Sequence, residues 1–415
     1  MQDRFNAIVV GAGPAGSSAA ILLARAGWSV ALVEKHIFPR RKVCGECIAA
    51  GNLPLLHALG IGSAFKAIAG APLRQLALLR GYNRVVADLP SAAHEKYPWG
   101  QALGRDALDT LLIEQARLDG AQLFQPWAVQ EIDGAAGNWR CDIRAAGSGE
   151  RRILRAPVVI DAHGSWEALA SARAQGRPVH KPSDLFAFKA NFRGANLDEG
   201  MVSVMSFQGG YGGMVVAGGG LSTVACCIRR DRLDECRALA PGQSAALVVE
   251  AMLRKQCLGV RTALRGSVED GGWLSAGPLQ PGIRVHGDDA IFRIGNAAGE
   301  AHPIIGEGMS MALQSAWLLC AQLLLGKRVN KLSDVAWQRQ VGVRYAAHWR
   351  REFVPRMRVS ASFAHFAMRP RLAAMLVAGA RIWPGLLTTG AGWSGKARCA
   401  ADSAVVSLLA RTADR

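Results

Sequence analysis

Gly11-Ala12-Gly13-Pro14-Ala15-Gly16 has the spacing G-x-G-x-x-G, and Glu34 stands 18 residues beyond the last glycine. Each part has a task. Gly11 permits a tight turn after a strand, Gly13 lets a pyrophosphate approach the backbone, and Gly16 lets a helix pack closely on the strand. The helix N-terminus stabilises phosphate charge, and Glu34 accepts from a ribose hydroxyl. The chemistry indicated is recognition of an adenine dinucleotide. Two other groups have the types needed to act on a substrate. Cys44-Gly45-Glu46-Cys47 places two thiols at C-x-x-C spacing, which invites a metal or a redox pair. No second pair lies at zinc spacing, so no metal is expected. His302, between Glu300 and Glu307, is the best acid–base candidate, because a histidine near neutral pKa moves protons at working pH. A structural histidine satisfied by its neighbours is an equal reading.

These residues need elements to hold them. The apolar run 5–10 stops at Gly11, the Ala- and Leu-rich run 14–26 closes at Gly27, and 29–33 is apolar again up to Glu34, which together make a βαβ unit. The runs 73–79 and 84–89 flank Gly81-Tyr82-Asn83 as two strands about a turn. A helix is predicted over 105–118, an antiparallel meander over 127–155, a buried strand at 158–160 and a helix over 243–257. Segment 185–229 alternates and is broken by glycines, which predicts a separate mixed or antiparallel sheet. Gly209 to Gly213 and Gly218 to Gly220 look like phosphate loops, but their place between strands makes hairpin turns the better reading. Phe186, Phe188, Phe192, Met201, Met205 and Phe207 in that sheet could be core or an apolar pocket wall. A last strand over 291–294 leads into an apolar helix near 307–325, and 331–415 is helical and Arg-rich.

The fold class expected is α/β, with a Rossmann-like dinucleotide domain of 1–72, 99–170 and 281–328. A mixed or antiparallel substrate domain of 73–98 and 171–280 is inserted, and a helical region, 329–415, is appended. The helix Met309 to Leu325 is interrupted by Gln314 and Gln322 and falls short of the ~20 residues of a membrane span, so a buried core helix is expected. No signal peptide is recognised, and nine irregularly spaced cysteines fit a reducing compartment, so the cytoplasm is expected. The net charge of +17 comes without a nucleic-acid-binding motif, and no nucleic-acid partner is expected. The densest basic stretch holds Arg339, Arg344, Arg350, Arg351, Arg356 and Arg358 among apolar residues. A solvated basic face, peripheral contact with anionic lipid and attraction of an acidic carrier or protein partner are the three readings.

Two further motifs carry a resemblance. Leu103 to Asp109 resembles the R-x-x-L-D segment of flavoprotein hydroxylases. Phe292 to Gly299, with Pro303, Gly306, Glu307 and Gly308, resembles their G-D-A-A-x-x-x-x-P-x-x-G-x-G segment. The superfamily is that of the p-hydroxybenzoate-hydroxylase-type monooxygenases, geranylgeranyl reductases and flavin-dependent halogenases. It implies FAD, contacted by Gly11, Gly13, Pro14, Ala15, Gly16, Glu34, Lys35, Arg41, Cys44, Arg105, Val129, Asp161, Gly164, Gly295, Asn296, Pro303, Gly306, Gly308 and Met309. It also implies NADPH or NADH as electron donor, and it makes the Cys44 loop a wall of the flavin pocket, between the C-G-G of reductases and the G-E-S of halogenases. Two positions depart from the family: Asn296 stands where an aspartate is usual, and Asp161-Ala162-His163-Gly164 replaces the D-G motif tied to nicotinamide handling. The activity this implies first is hydroxylation of an aromatic, polyketide or lipid-like small molecule through a flavin C4a-hydroperoxide. Reduction of C=C bonds comes next, then action on a peptide- or carrier-bound substrate. Halogenation ranks last, since Tyr97-Pro98-Trp99-Gly100 is not W-x-W-x-I-P.

Overall fold

The computed structural model describes residues 3–165, 181–325, 331–393, 395 and 399. Expectations falling on other positions, including most of 394–415, lie outside the described residues. Ala7–Val10 and Val30–Val33 are buried on both faces, as parallel strands covered on each side must be. They sit within a parallel sheet ordered Phe292–Arg293, Val158–Asp161, Ala7–Val10, Val30–Val33, Gln122–Phe124. Alternation decides the layers. Ala7 and Val9 face the helices Pro14–Arg25, Arg105–Leu118 and Gly308–Leu324, whereas Ile8 and Val10 face the meander Trp127–Ala135, Asn138–Ala145, Arg151–Ala156. Gly308–Leu324 is buried along most of its length, as a core helix. The strand expected over 291–294 is only Phe292–Arg293, because Gly295 turns the chain at φ +59°.

Gln75–Arg80 and Asn83–Asp88 leave this layer and join the other insertion. Met201–Phe207 pairs with Gln75–Arg80 in parallel, and Gly210–Val216, Ser222–Arg229 and Leu185–Arg193 follow antiparallel, giving a mixed eight-stranded sheet. The first glycine run turns only at Gln208-Gly209, and its Gly210, Gly212 and Gly213 belong to the strand Gly210–Val216, whereas Gly218–Gly220 is a turn between strands as expected. Register fixes which side chains share a face. Ala187, Cys227, Tyr211 and Ser206 are partners, as are Lys189, Ala225, Gly213 and Val204, then Asn191, Thr223, Val215 and Val202. These three rows look toward the dinucleotide domain. The opposite face carries Phe188, Phe192, Met201, Met205 and Phe207 against helices Arg230–Ala238, Ala245–Gln256 and Leu258–Ala263. Those residues are core, and the pocket wall is built from their strand neighbours instead. The helix Val335–Met368 then crosses back, burying Tyr345, Trp349 and Phe353 in the core around Gly308–Leu324.

Candidate functional site

At the nucleotide end the backbone dictates the residue types. Gly11 has φ +101°, and a Cβ there would sit 2.6 Å from the Ala162 carbonyl oxygen. A Cβ on Gly16 would sit 1.8 Å from the Gly11 oxygen, so helix and strand touch backbone to backbone. A Cβ on Gly13 would meet only the Arg105 guanidinium, at 3.6 Å. The helix that starts at Pro14 has no side-chain cap and no acid in its first turn. Its first N–H groups are therefore not taken by a capping side chain, as a pyrophosphate site requires. Ala15 and Pro14 are buried in this turn, with Ala15 against Gly295. Glu34 is buried and accepts from the backbone N–H of Ala12 and of His36, each at 2.9 Å. A carboxylate has further lone pairs for a ribose hydroxyl. Lys35 follows half-buried, and Trp127 donates to the Glu34 carbonyl at 2.8 Å, which brings the Val129 strand alongside.

The basic groups sort into two sets. Arg105 is buried, forks onto Asp109 at 2.8 and 2.6 Å, and lies beside the Cys44 thiol. Lys42 comes within 3.4 Å of a Cβ built on Gly164, and burial, with Arg105 nearby, pushes its pKa down to about 8. Gly13, Arg105, Lys42 and Gly164 thus surround one mouth whose positive charge suits a pyrophosphate. Arg41 is instead engaged by Asp106 and Asp270, bridging the dinucleotide domain to the inserted sheet. Asp161, also buried, accepts from the backbone N–H of His163 at 3.2 Å and from its ring, so its carboxylate holds the turn and leaves the mouth to Lys42. Asn296 donates its amide to the Ser165 hydroxyl at 2.6 Å, whereas an aspartate could only accept from that hydroxyl. These residues fit FAD: an uncapped helix start, a buried ribose acceptor and a cationic mouth.

At the other end the parts come from distant segments. The chain turns through Pro303–Ile305 and Gly306 into Gly308–Leu324, with Met309 buried in the first turn. Glu307 is buried beside Arg356 at 3.5 Å, and Arg356 also donates to Gln314, which bonds Asn52, which bonds Ser310. Glu46 is the non-glycine residue with positive φ among those described, at +59°, a strained conformation that tertiary contacts must hold. They do so with its carboxylate. Glu46 accepts from Lys189, from Thr223 and from the backbone N–H of Arg105 at 3.1 Å, and Thr223 accepts from Asn191 at 2.9 Å. The Cys44 loop, the Arg105 helix and the inserted sheet are thereby tied at one buried ion pair.

One row along that sheet face, Tyr211 lies 3.4 Å from Nδ1 of His302. Burial pushes the Tyr211 phenol well above its ordinary value, helped by Cys227 and Glu300, and burial pulls His302 below its own. Both are neutral at working pH. A small apolar cleft opens at the far row, lined by Ile48, Ala50, Leu73, Trp99, Val202 and Gly306. The structure therefore gathers Gly13, Glu34, Arg105 and Gly164 at one end and His302, Gly306 and Met309 at the other. Sequence reasoning missed Lys189, Thr223, Tyr211 and the role of Glu46. The available signal was a lysine inside the apolar strand Leu-Phe-Ala-Phe-Lys-Ala-Asn-Phe.

The model of a family described as "FAD binding domain" matches residues 4–256. A tryptophan 2-halogenase of Chondromyces crocatus is 26% identical over 76% of this chain, which spans 60% of that protein's length. A menaquinone reductase of Mycolicibacterium smegmatis is 27% identical over 83% of this chain and 82% of that protein. In fold, the myxobacterial chondrochloren halogenase matches at a TM-score of 0.75, covering 99% of this chain and 97% of its own with 18% identity.

Proposed function

The chain belongs to the FAD-binding-domain family, and we propose that it is a flavin-dependent oxidoreductase that reduces a carbon–carbon double bond in a bulky apolar substrate. The observation that carries this reading is the Tyr211–His302 pair on a sheet face where the other buried charges, Lys189 and Glu46, are consumed by each other. When bound, FAD reduced by NADPH or NADH would supply the hydride for one carbon and be left oxidised. The other carbon needs a proton. Tyr211, kept protonated by burial, is the donor, and His302, kept neutral, positions its hydroxyl and returns the proton from solvent. Gly213, Ala225 and Val204 lie in the row between this pair and the cleft, and the fourth member of that row, Lys189, is neutralised by Glu46, which suits an apolar chain. Among the relatives that align over most of both chains is the menaquinone reductase of Mycolicibacterium smegmatis, which supports the same reading.

A second reading is oxygenation of an aromatic or polyketide-like molecule, favoured by Trp99 on the cleft wall, where a flat ring could stack. Turnover under strict anaerobiosis with NADPH distinguishes them. Reduction gives a product heavier by one H2 without O2. Activity that appears only when O2 is admitted, with one oxygen atom gained, sinks reduction and establishes oxygenation.

A further inference from the structure

We infer that the outer face of the consecutive helices Pro370–Ile382 and Gly385–Trp393 docks on an anionic phospholipid bilayer and lies in its interfacial plane. The inner face is already committed. Val377 and Ala380 pack with Leu78 and Val85 of the sheet edge. Arg80 donates to the Pro370 carbonyl at 2.7 Å, Thr388 to the Asp88 carbonyl at 2.7 Å, and Arg381 to the Asn83 side chain at 3.4 Å. The pair is a mounted part of the fold. Its other face is apolar and open: Met375 is 69% exposed, Ile382 87%, Trp383 59% and Trp393 65%, and Tyr82, at the adjoining turn, is 85% exposed. Single exposed apolar residues need no explanation, but a cluster on two consecutive elements does.

Charge selects the partner. Segment 353–393 contains no Asp or Glu, while Arg358, Arg369, Arg371 and Arg381 are exposed around the apolar cluster. Carboxylates at the adjoining sheet edge are Asp88, beyond the Thr388 end, and Asp198, which is paired with Arg84. Tryptophans at helix ends with flanking arginines are the composition that settles at a headgroup boundary, where rings sit at the interface and guanidiniums meet lipid phosphates. The helices are bent by 117° at their junction, so they do not form one continuous span, and with one face held by the sheet they lie flat. Ala391, on the second helix, packs in the cluster of Leu73, Leu89, Trp99 and Val202 that lines the cleft. Docking therefore sets the cleft against the membrane, whichever reaction the flavin performs.

The test is co-sedimentation of the full-length, FAD-loaded protein with vesicles. Phosphatidylglycerol–phosphatidylcholine vesicles should bind it and pure phosphatidylcholine vesicles should not, with binding weakened by salt. Ile382→Ser with Trp383→Ser should lower the bound fraction about tenfold, and Arg371→Gln with Arg381→Gln about as much, flavin content and circular dichroism being unchanged. Three results would overturn the inference: no binding to anionic vesicles, equal binding by the Ile382/Trp383 variant, or vesicle-free self-association abolished by that variant, which would make a second copy the occupant. If the variants lose flavin, the wild-type comparison of the two vesicle types and its salt dependence still decides.

Discussion

The nucleotide end and the reaction end of this molecule are built in opposite ways. Gly11, Gly13, Gly16 and Glu34 lie within one βαβ unit, where Gly16 abuts the Gly11 oxygen and Glu34 accepts from the Ala12 N–H 22 residues away, and Gly11 also abuts Ala162 of the neighbouring strand end. The reaction end joins Glu46 to Lys189 and Thr223, and Tyr211 to His302, across separations of 143, 177 and 91 residues. A site centred on one βαβ unit depends on fewer long-range pairings, because its turn, helix start and acidic residue come from one stretch of chain. A site assembled from distant strands depends on the whole sheet being in register, since a slip by one residue would turn every inward side chain outward.

The sharpest break of this contrast is Lys189→Met. It leaves the Glu46 carboxylate buried without its cation, and a loss of about 3–5 kcal/mol is expected in denaturant unfolding. Adding Glu46→Gln should recover a large part, and a double variant no better than the single would show that the pair is not coupled. Next comes Tyr211→Phe, which should lower kcat about 100-fold while leaving flavin content and stability near wild type. An unchanged rate would remove Tyr211 from proton transfer.

At the nucleotide end the effects should be smaller and ionic. Without FAD, burial and the nearby Arg105 push Lys42 down to about 8 from the ordinary 10.5 of an exposed lysine. An added pyrophosphate favours its charged form, so FAD affinity should fall by up to about tenfold per pH unit above that value. The sign for the flavin-free protein is opposite: a depressed lysine binds fewer protons folded than unfolded, so stability rises with pH between about 8 and 10.5. Lys42→Gln should flatten both curves in fluorescence titration and in melting. The smallest change expected is Asn296→Asp, which loses the amide donor to Ser165 and about 1 kcal/mol in thermal unfolding. Ser165→Ala also removes a bond to the buried Glu300 and should cost more, and adding Asn296→Asp to it should cost little further if the Asn296–Ser165 bond is the cause.

The first 35 residues announced their own purpose. A turn that only glycine allows, a helix start and an acidic residue at strand end are consequences of local covalent geometry, so they can be read without the rest of the chain. The Arg105–Leu118 helix and the buried Gly308–Leu324 helix were equally legible from periodicity. What the sequence could not decide was which face of the inserted sheet would look at the cofactor. The large residues Phe188, Phe192, Met205 and Phe207 read as well for a pocket as for a core, and packing against three helices made them core. That choice sent Lys189, Thr223 and Tyr211 to the other side, where they meet Glu46 and His302. Alternation along a strand sets which residues share a face, but only burial against neighbouring elements determines which face becomes the site.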